Sequence, residues 1–178
     1  MEIQRFLKDM KRTKITIGIM LFLALAMTAC SDKYDFLGKN DEYVANPVEL
    51  YQSWQLIGYG SEGNFHMIDK EFRKKSEKYG YRFYIVFNPD GTYAGIDAIN
   101  CIGGDYTCNG NQIHVEDYIS TEIYDKNKES EEFRKRFLSS TSYGIKEGKK
   151  LRMYYTKKEF LYFESFDRVY ITPSSSSL

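Results

Sequence analysis

The residues best suited to redox or metal chemistry are three cysteines, Cys30, Cys101 and Cys108. Cys101 and Cys108 lie symmetrically about Gly104-Asp105, and a tight turn there would place them opposite each other, with Cα atoms about 5.5 Å apart. In an oxidising compartment this spacing favours a disulfide over two reduced core cysteines. Zinc is least favoured, because it needs four ligands and His114 has no second ligand nearby. We therefore predict a disulfide, no metal site and no cofactor.

The sequence contains no nucleophile, base and acid at a spacing typical of a hydrolase. No Gly-x-Ser-x-Gly turn is present, and no spacing of Ser, His and Asp implies a triad. His66 is predicted in a loop, and His114 on the outward side of a strand. Asp90 and Asp97 flank a strand as a carboxylate pair, but an Asn-Pro-Asp-Gly turn explains Asp90. We expect no catalytic residue and a protein that is not an enzyme.

Glycines and tyrosines supply two further candidate sites. Gly103-Gly104 is followed by no Lys-Ser or Lys-Thr pair and no helix start, so we predict a turn there rather than a phosphate-binding loop. The sixteen tyrosines allow an exposed stacking surface for sugars or a partner protein, although most are expected to fill the core and sheet rim.

The first thirty residues have the profile of an exported lipoprotein. Five basic and two acidic residues lie within positions 1–14, and positions 15–29 carry no charge, as in a signal peptide. That apolar run is shorter than the roughly 20 residues that a membrane-spanning helix needs. Met27-Thr28-Ala29-Cys30 resembles the bacterial lipobox, with Met27 in place of the usual Leu. An ordinary cleavage site beside a chance cysteine is the alternative.

The lipobox predicts cleavage before Cys30 and attachment of diacylglycerol and a palmitate-like acyl chain to that residue. Because each buried CH₂ contributes about 0.8 kcal/mol, these chains would hold the protein on a bilayer. Ser31 follows Cys30 in place of the acidic residue typical of inner-membrane retention in Gram-negative systems. This favours the outer membrane and leaves open which of its faces carries the protein.

Length and charge indicate that the mature part is one domain and that it lacks the basic surface typical of nucleic-acid-binding proteins. Removal of residues 1–29 leaves 149 residues, the size of a single domain. Its 20 basic and 23 acidic residues give a net charge of −3, which does not suit nucleic-acid binding. Sixteen Tyr and twelve Phe with three Pro favour strands.

Turn chemistry and periodicity predict a single domain over residues 47–172, behind a lipidated Cys30 with a flexible tether over 30–46, and before a disordered tail over 173–178. Asn88-Pro89-Asp90-Gly91 and Asn109-Gly110-Asn111 each predict a hairpin turn. The predicted helices span 47–52, 69–80 and 131–139, with Asn46, Asp69 and Ser130 as their caps. The predicted strands span 54–58, 81–87, 92–98, 105–108, 112–116, 143–146, 150–156, 159–164 and 168–172. Phe133, Phe137 and Leu138 form an apolar stripe that should pack the third helix on the sheet.

Several short patterns recur in one order between Trp54 and Phe163. They are Trp54-x-Leu56, Phe87-x-x-Asp90-Gly91-Thr92-x-x-Gly95, Asn100, Gly104-x-Tyr106, Ile113, Thr121, Phe137-Leu138, Tyr143-x-Ile145-x-x-Gly148-x-x-Leu151 and Leu161-x-Phe163. In this order they resemble the META domain family, the fold of the HslJ-like heat-shock lipoproteins. The family's Gly-Cys-Asn is replaced by Ala98-Ile99-Asn100, and its Thr-x-Met-x-Cys by residues 121–125. Properties that depend on those cysteines are therefore not carried over.

The resemblance implies a mainly β (α+β) fold, in which a small curved antiparallel sheet or partly open β-barrel carries one packed helix. It also implies a non-enzymatic, lipid-anchored protein of the cell envelope that binds a partner or supports envelope integrity under stress. Two alternatives stay open. A barrel lined with Phe and Tyr would bind a small apolar ligand or lipid, and an exposed loop over 66–78 would inhibit an envelope hydrolase.

Overall fold

Ten strands and three helices make up the described part of the chain, which in this computed structural model covers residues 42–73, 81–121, 123 and 128–166. All of these residues belong to one compact unit. The helices are α1 (Pro47–Leu50), α2 (Lys70–Arg73) and α3 (Lys128–Leu138). The strands are β1 (Ser53–Ser61), β2 (Asn64–Met67), β3 (Tyr84–Phe87), β4 (Thr92–Ile96), β5 (Cys101–Asn109), β6 (Gln112–Val115), β7 (Ile119–Ser120), β8 (Ser142–Lys146), β9 (Lys150–Tyr154) and β10 (Phe160–Ser165).

The strands form one antiparallel sheet that curves into a partly open ring. Their order is β10-β9-β8-β6-β5-β4-β3-β1-β2, with β7 on β5, and an additional pairing joins β10 to β1. Strand pairing around the ring is shortest between β6 and β8, where one residue of each strand, Gln112 and Ser142, is paired. The predicted mainly β, antiparallel and curved fold is confirmed.

Residues that tolerate a positive φ form the turns of three β-hairpins. Gly91 has φ 86° and Gly110 has φ 59° in the two turns predicted from their Asn and Asp neighbours. Glu147 and Gly148 both have positive φ between β8 and β9, as a two-residue type I′ turn requires. These turns determine which residues are paired between β3 and β4, between β5 and β6, and between β8 and β9.

Helix α3 closes one end of the ring with two phenylalanines. Phe133 and Phe137 are fully buried, and their rings stack with centroids 5.5 Å apart. Phe133 contacts the Phe83 ring at 6.0 Å and Phe137 contacts the Tyr93 ring at 5.1 Å, so the predicted packing of this helix is correct. The helix begins earlier than predicted, so Ser130 is not its cap but lies in its first turn, where its Oγ accepts a hydrogen bond from the Ala98 N–H at 3.4 Å.

A bulge in β1 places a second aromatic layer on the outer face of the sheet. The register of β1 against β10 shifts between Leu56 and Gly58. Beyond this shift Gly58 and Gly60 face outward, and a Cβ at Gly58 would lie 2.6 Å from the Phe65 ring. Because these positions are glycines, Phe65 packs on the outer face, with its ring centroid 6.1 Å from that of Phe160.

The predicted disulfide between Cys101 and Cys108 is wrong. Both residues lie in the continuous strand β5, and both are free thiols. Cys108 follows Cys101 by seven positions, so their Cα atoms lie about 23 Å apart along the strand, and an odd number of positions places their side chains on opposite faces of the sheet. The predicted turn at Gly103-Gly104 is also absent, because both glycines lie within β5. A Cβ at Gly104 would lie 2.3 Å from the Asp117 carbonyl oxygen. The absence of a Cβ therefore allows the backbone at Asp117 to pass close to β5.

The folded domain begins before the predicted boundary at residue 47. The Val44 N–H donates to the Ile145 carbonyl oxygen at 2.9 Å, and the Ile145 N–H donates back at 2.8 Å. The Tyr43 ring lies 4.2 Å from the Arg152 guanidinium carbon. Residues 42–46, predicted to be part of a flexible tether, are therefore packed. Asn46 caps α1 as predicted, since its side chain accepts from the Val48 N–H at 3.2 Å.

Several predictions lie outside the described residues: the signal peptide, Cys30, most of the tether, positions 74–80 of the second helix, the strand over 168–172 and the tail over 173–178. Within the described ranges, no helix has the length and apolar character needed to span a membrane.

The two free thiols should differ in reactivity. Cys101 is exposed, whereas burial raises the pKa of the half-buried Cys108 thiol to about 11. Because the thiolate is the reactive form, we expect iodoacetamide to modify Cys101 quickly at pH 8 and Cys108 at least about tenfold more slowly. Peptide mass spectrometry of the Cys30→Ser protein gives both rates. Modification of Cys108 should accelerate as the pH approaches 11, and a Cys101–Cys108 crosslinked peptide would contradict the assignment.

Candidate functional site

Polar and aromatic side chains gather between α3 and the hairpin of β1 and β2, in what we call the ring-mouth cluster. Its members are Tyr59 of β1, His66 of β2, Glu129, Glu132 and Arg136 of α3, and Tyr155 after β9. Tyr59 and His66 are paired across the hairpin, and their ring centroids lie 4.8 Å apart. His66 was predicted in a loop, so its place on β2 is a correction.

Glu129 joins the helix to the hairpin. Its Oε2 accepts a hydrogen bond from the Tyr59 hydroxyl at 3.0 Å, and its Oε1 lies 2.6 Å from His66 Nε2. Burial, and next the neighbouring Glu129 carboxylate, raise the pKa of Tyr59. Tyr59 therefore stays a neutral hydrogen-bond donor, which suits the carboxylate that it faces.

Arg136 covers the other side of Tyr59. Its guanidinium carbon lies 4.0 Å from the Tyr59 ring centroid, and its Nε donates to the Tyr155 hydroxyl at 3.3 Å. Burial lowers the pKa of Arg136, but the hydrogen bonds to Glu132 and Tyr155 outweigh burial and leave it raised. The guanidinium is therefore a fixed positive charge that stacks on one aromatic ring and borders another.

This arrangement suits recognition better than covalent chemistry. The side chain of His66 is 52% exposed. Among the described residues its hydrogen-bond contact is with Glu129, and no hydrogen bond joins it to a Ser, Thr or Cys side chain. A His–Glu pair of this kind lacks the nucleophile that a hydrolytic triad requires. Tyr and Arg are the residue types that most often carry binding energy at protein interfaces.

The two aspartates weighed as a carboxylate pair each stabilise a turn. Asp90 accepts from the Thr92 N–H at 3.0 Å and from the Thr92 hydroxyl at 2.7 Å, and these bonds lower its pKa. Asp97 accepts from the N–H groups of Ile99 and Asn100 at 3.0 and 2.8 Å. Both carboxylates thus hold the backbone of the turns on either side of β4.

The other candidates from the sequence are structural or isolated. Asn100 Oδ1 accepts from the Thr121 hydroxyl at 3.0 Å and the Ile123 N–H at 2.8 Å, so it fastens the segment after β7. His114 is exposed on β6, as predicted. Among the described tyrosines, which the sequence suggested as a stacking surface, Tyr51 and Tyr81 are exposed and the others are buried or half-buried. Over the described ranges, no group of three His, Cys, Asp or Glu side chains is arranged to hold a metal ion.

No local pattern in the sequence predicts the ring-mouth cluster. Glu129 lies 63 residues from His66 and 70 from Tyr59, and β2 itself was not predicted. The Ser61-Glu62-Gly63-Asn64 turn was the available indication of β2, because Gly and Asn are typical of hairpin turns.

Comparisons with known proteins show the fold alone. Neither a family profile nor a curated protein sequence matches this chain. A DUF4847 family protein from Bacteroides vulgatus has a similar crystal structure, with a TM-score of 0.50, 15% identity, and coverage of 68% of this chain and 96% of that one. A protein from Burkholderia xenovorans, solved by NMR, aligns with a TM-score of 0.49, 13% identity, and coverage of 73% and 97%. The resemblance to the META family stays a prediction.

Removal of the Glu129 carboxylate should loosen the ring mouth. Because Glu129→Ala leaves Tyr59 and His66 without their shared acceptor, we expect it to lower the free energy of unfolding by about 1 to 2 kcal/mol more than Glu131→Ala. Glu131 is exposed in the same first turn of α3, so it controls for helix propensity and dipole. Urea denaturation measures both variants, and equal effects would show that the Glu129 contacts contribute nothing.

Proposed function

We propose that this protein is a lipid-anchored lipoprotein of the bacterial cell envelope, held in the outer membrane through Cys30, whose META-like domain binds a protein partner without catalysis. The observation that carries the anchoring is Met27-Thr28-Ala29-Cys30 at the end of an uncharged run of fifteen residues. Eleven residues separate Cys30 from Glu42, the first described residue. Fully extended, they reach at most about 40 Å, so the domain would stay close to the bilayer.

The filled interior favours a partner over a small apolar ligand. Between α3 and the sheet, the rings of Phe133 and Phe137 are fully buried, and Phe137 contacts Phe87 at 6.3 Å as well as Tyr93. A lipid or other apolar molecule would need the space that these rings occupy. A binding function is therefore better placed on the surface of the domain.

The ring-mouth cluster is the surface that best fits a partner. It combines a stacked Tyr59–Arg136 pair with a half-exposed His66, and aromatic and Arg side chains anchor many protein interfaces. The hydrolase-inhibitor alternative is weaker, because the start of its predicted loop lies in β2 and α2 and not in a protruding segment.

Acylation of Cys30 is the first test. In a Gram-negative host fed an alkyne analogue of palmitate, we expect the wild-type protein to carry the label and to fractionate with the outer membrane. Cys30→Ser should remove the label and release the protein from that fraction. Cys101→Ser is the matched control and should behave as wild type. Labelling that persists in Cys30→Ser would overturn the proposed anchor.

The ring mouth can be tested separately from the anchor. In detergent-solubilised envelopes, we expect chemical crosslinking to join the wild-type protein to a specific partner, and His66→Gln with Arg136→Gln to reduce that product at least about fivefold. His114→Gln with Arg134→Gln removes the same residue types from exposed positions of β6 and α3. An equal crosslinked yield in both double variants would place the partner elsewhere, and no crosslinked product in the wild type would count against partner binding.

A further inference from the structure

A groove separate from the ring-mouth cluster lies on the outer face, where the β1–β2 turn meets the β9–β10 turn. We call it the Arg152 groove. Its volume is about 390 Å³, and its walls include Glu62, Arg152, Lys157, Lys158 and Phe160. Three cationic side chains and one carboxylate therefore line a space large enough for a phosphate group and the atoms that bear it.

Arg152 is the centre of the groove and is held rigidly. It is 4% exposed, and its guanidinium carbon lies 4.2 Å from the Tyr43 ring and 4.3 Å from the Phe160 ring. Its Nη1 donates to Glu62 Oε1 at 3.1 Å. A planar guanidinium clamped between two rings is pre-organised, and it loses little freedom when an anion approaches its edge.

Cationic side chains outnumber carboxylates in the walls of the groove. Glu62 faces Arg152 from the β1–β2 turn, and its side chain is 42% exposed. Lys157 and Lys158 are exposed on the opposite wall. The nearby Glu159 carboxylate accepts from the Thr156 hydroxyl at 3.4 Å within its own turn. The groove thus presents more positive than negative charge, although the mature chain carries a net negative charge.

We propose that the Arg152 groove binds the phosphate of an anionic phospholipid headgroup at the surface of the membrane that carries the protein. The choice of a lipid rests on the proposed anchoring through Cys30. Tyr43, which covers Arg152, lies thirteen positions after Cys30, so the tether brings this face within reach of the bilayer. Lysines beside a guanidinium are a common chemistry for phosphate, and each adds to attraction by an anionic surface.

The proposed site also gives a role to an arginine at a buried position of the sheet. Two neighbours of Arg152 on β9, Leu151 and Met153, belong to the apolar core, and a hydrophobic residue at 152 would pack among Tyr43 and Phe160 without a charge to desolvate. Binding of an anion is a use for the guanidinium that a hydrophobic residue at this position would not serve. Glu62 then occupies the anion's place from the β1–β2 turn.

Vesicle binding by the non-acylated protein tests this proposal. The mature chain with Cys30→Ser is mixed with vesicles of phosphatidylcholine alone or with phosphatidylglycerol, and the bound fraction is measured by co-sedimentation. We expect binding to the phosphatidylglycerol vesicles, and Lys157→Gln with Lys158→Gln should weaken it roughly tenfold or more. Lys70→Gln with Lys149→Gln removes the same charge from exposed positions outside the groove and should weaken binding at most about twofold. Glu62→Gln should strengthen binding, because it removes the competing carboxylate.

Each outcome decides the proposal. Equal weakening by the two lysine pairs, or equal binding to both kinds of vesicle, overturns it in favour of nonspecific attraction. If inorganic phosphate binds and depends on Lys157 and Lys158 while the vesicles do not bind, the groove takes a soluble phosphate and the lipid assignment is wrong. Because Cys30 is absent from every sample, a failure here leaves the acylation of Cys30 untouched, and a failure of acylation leaves this result standing.

Discussion

One extra residue in β1 determines which side chains reach each face of the ring. Trp54 and Leu56 point into the core, and without an interruption the alternation of a strand would send Gly58 and Gly60 inward as well. The bulge between Leu56 and Gly58 reverses the alternation, since a shift of one residue moves every later side chain to the other face. Tyr59 thereby points toward α3, and the glycines point outward, where Phe65 needs their space.

The bulge therefore underlies both surfaces of interest. On the inner side it allows Tyr59 and its partner His66 to meet Glu129 across the ring mouth. On the outer side it allows Phe65 to pack against Phe160, whose ring supports the guanidinium of Arg152. If the alternation of β1 were unbroken, a tyrosine would lie where the outer face requires glycine, and the mouth would lose its central hydroxyl.

Local patterns in the sequence predicted much of the fold. The Asn-Pro-Asp-Gly and Asn-Gly turns have backbone requirements that few other residues meet, and the stripe of Phe133 and Phe137 has a helical period. Strand β5 was misread because Gly103-Gly104 has the composition of a turn, although the Asp117 backbone crosses there and requires a residue without a Cβ. The bulge, the pairing of β1 with β10 and the contacts of Glu129 depend on residues far apart in the chain, for which no local pattern exists.

The β1–β2 hairpin connects the two surfaces mechanically. Its strands hold Tyr59 and His66 against α3, while its turn holds Glu62 against Arg152. The Glu62 side chain is 42% exposed in that turn, whereas its partner Arg152 is buried within β9. Displacement of Glu62 by a headgroup phosphate would leave the hairpin attached through Glu129, and the ring mouth would keep its geometry while the outer face changed its ligand. Under the proposed anchoring and partner binding, this independence would let the outer face bind a headgroup without disturbing the contacts of the ring mouth.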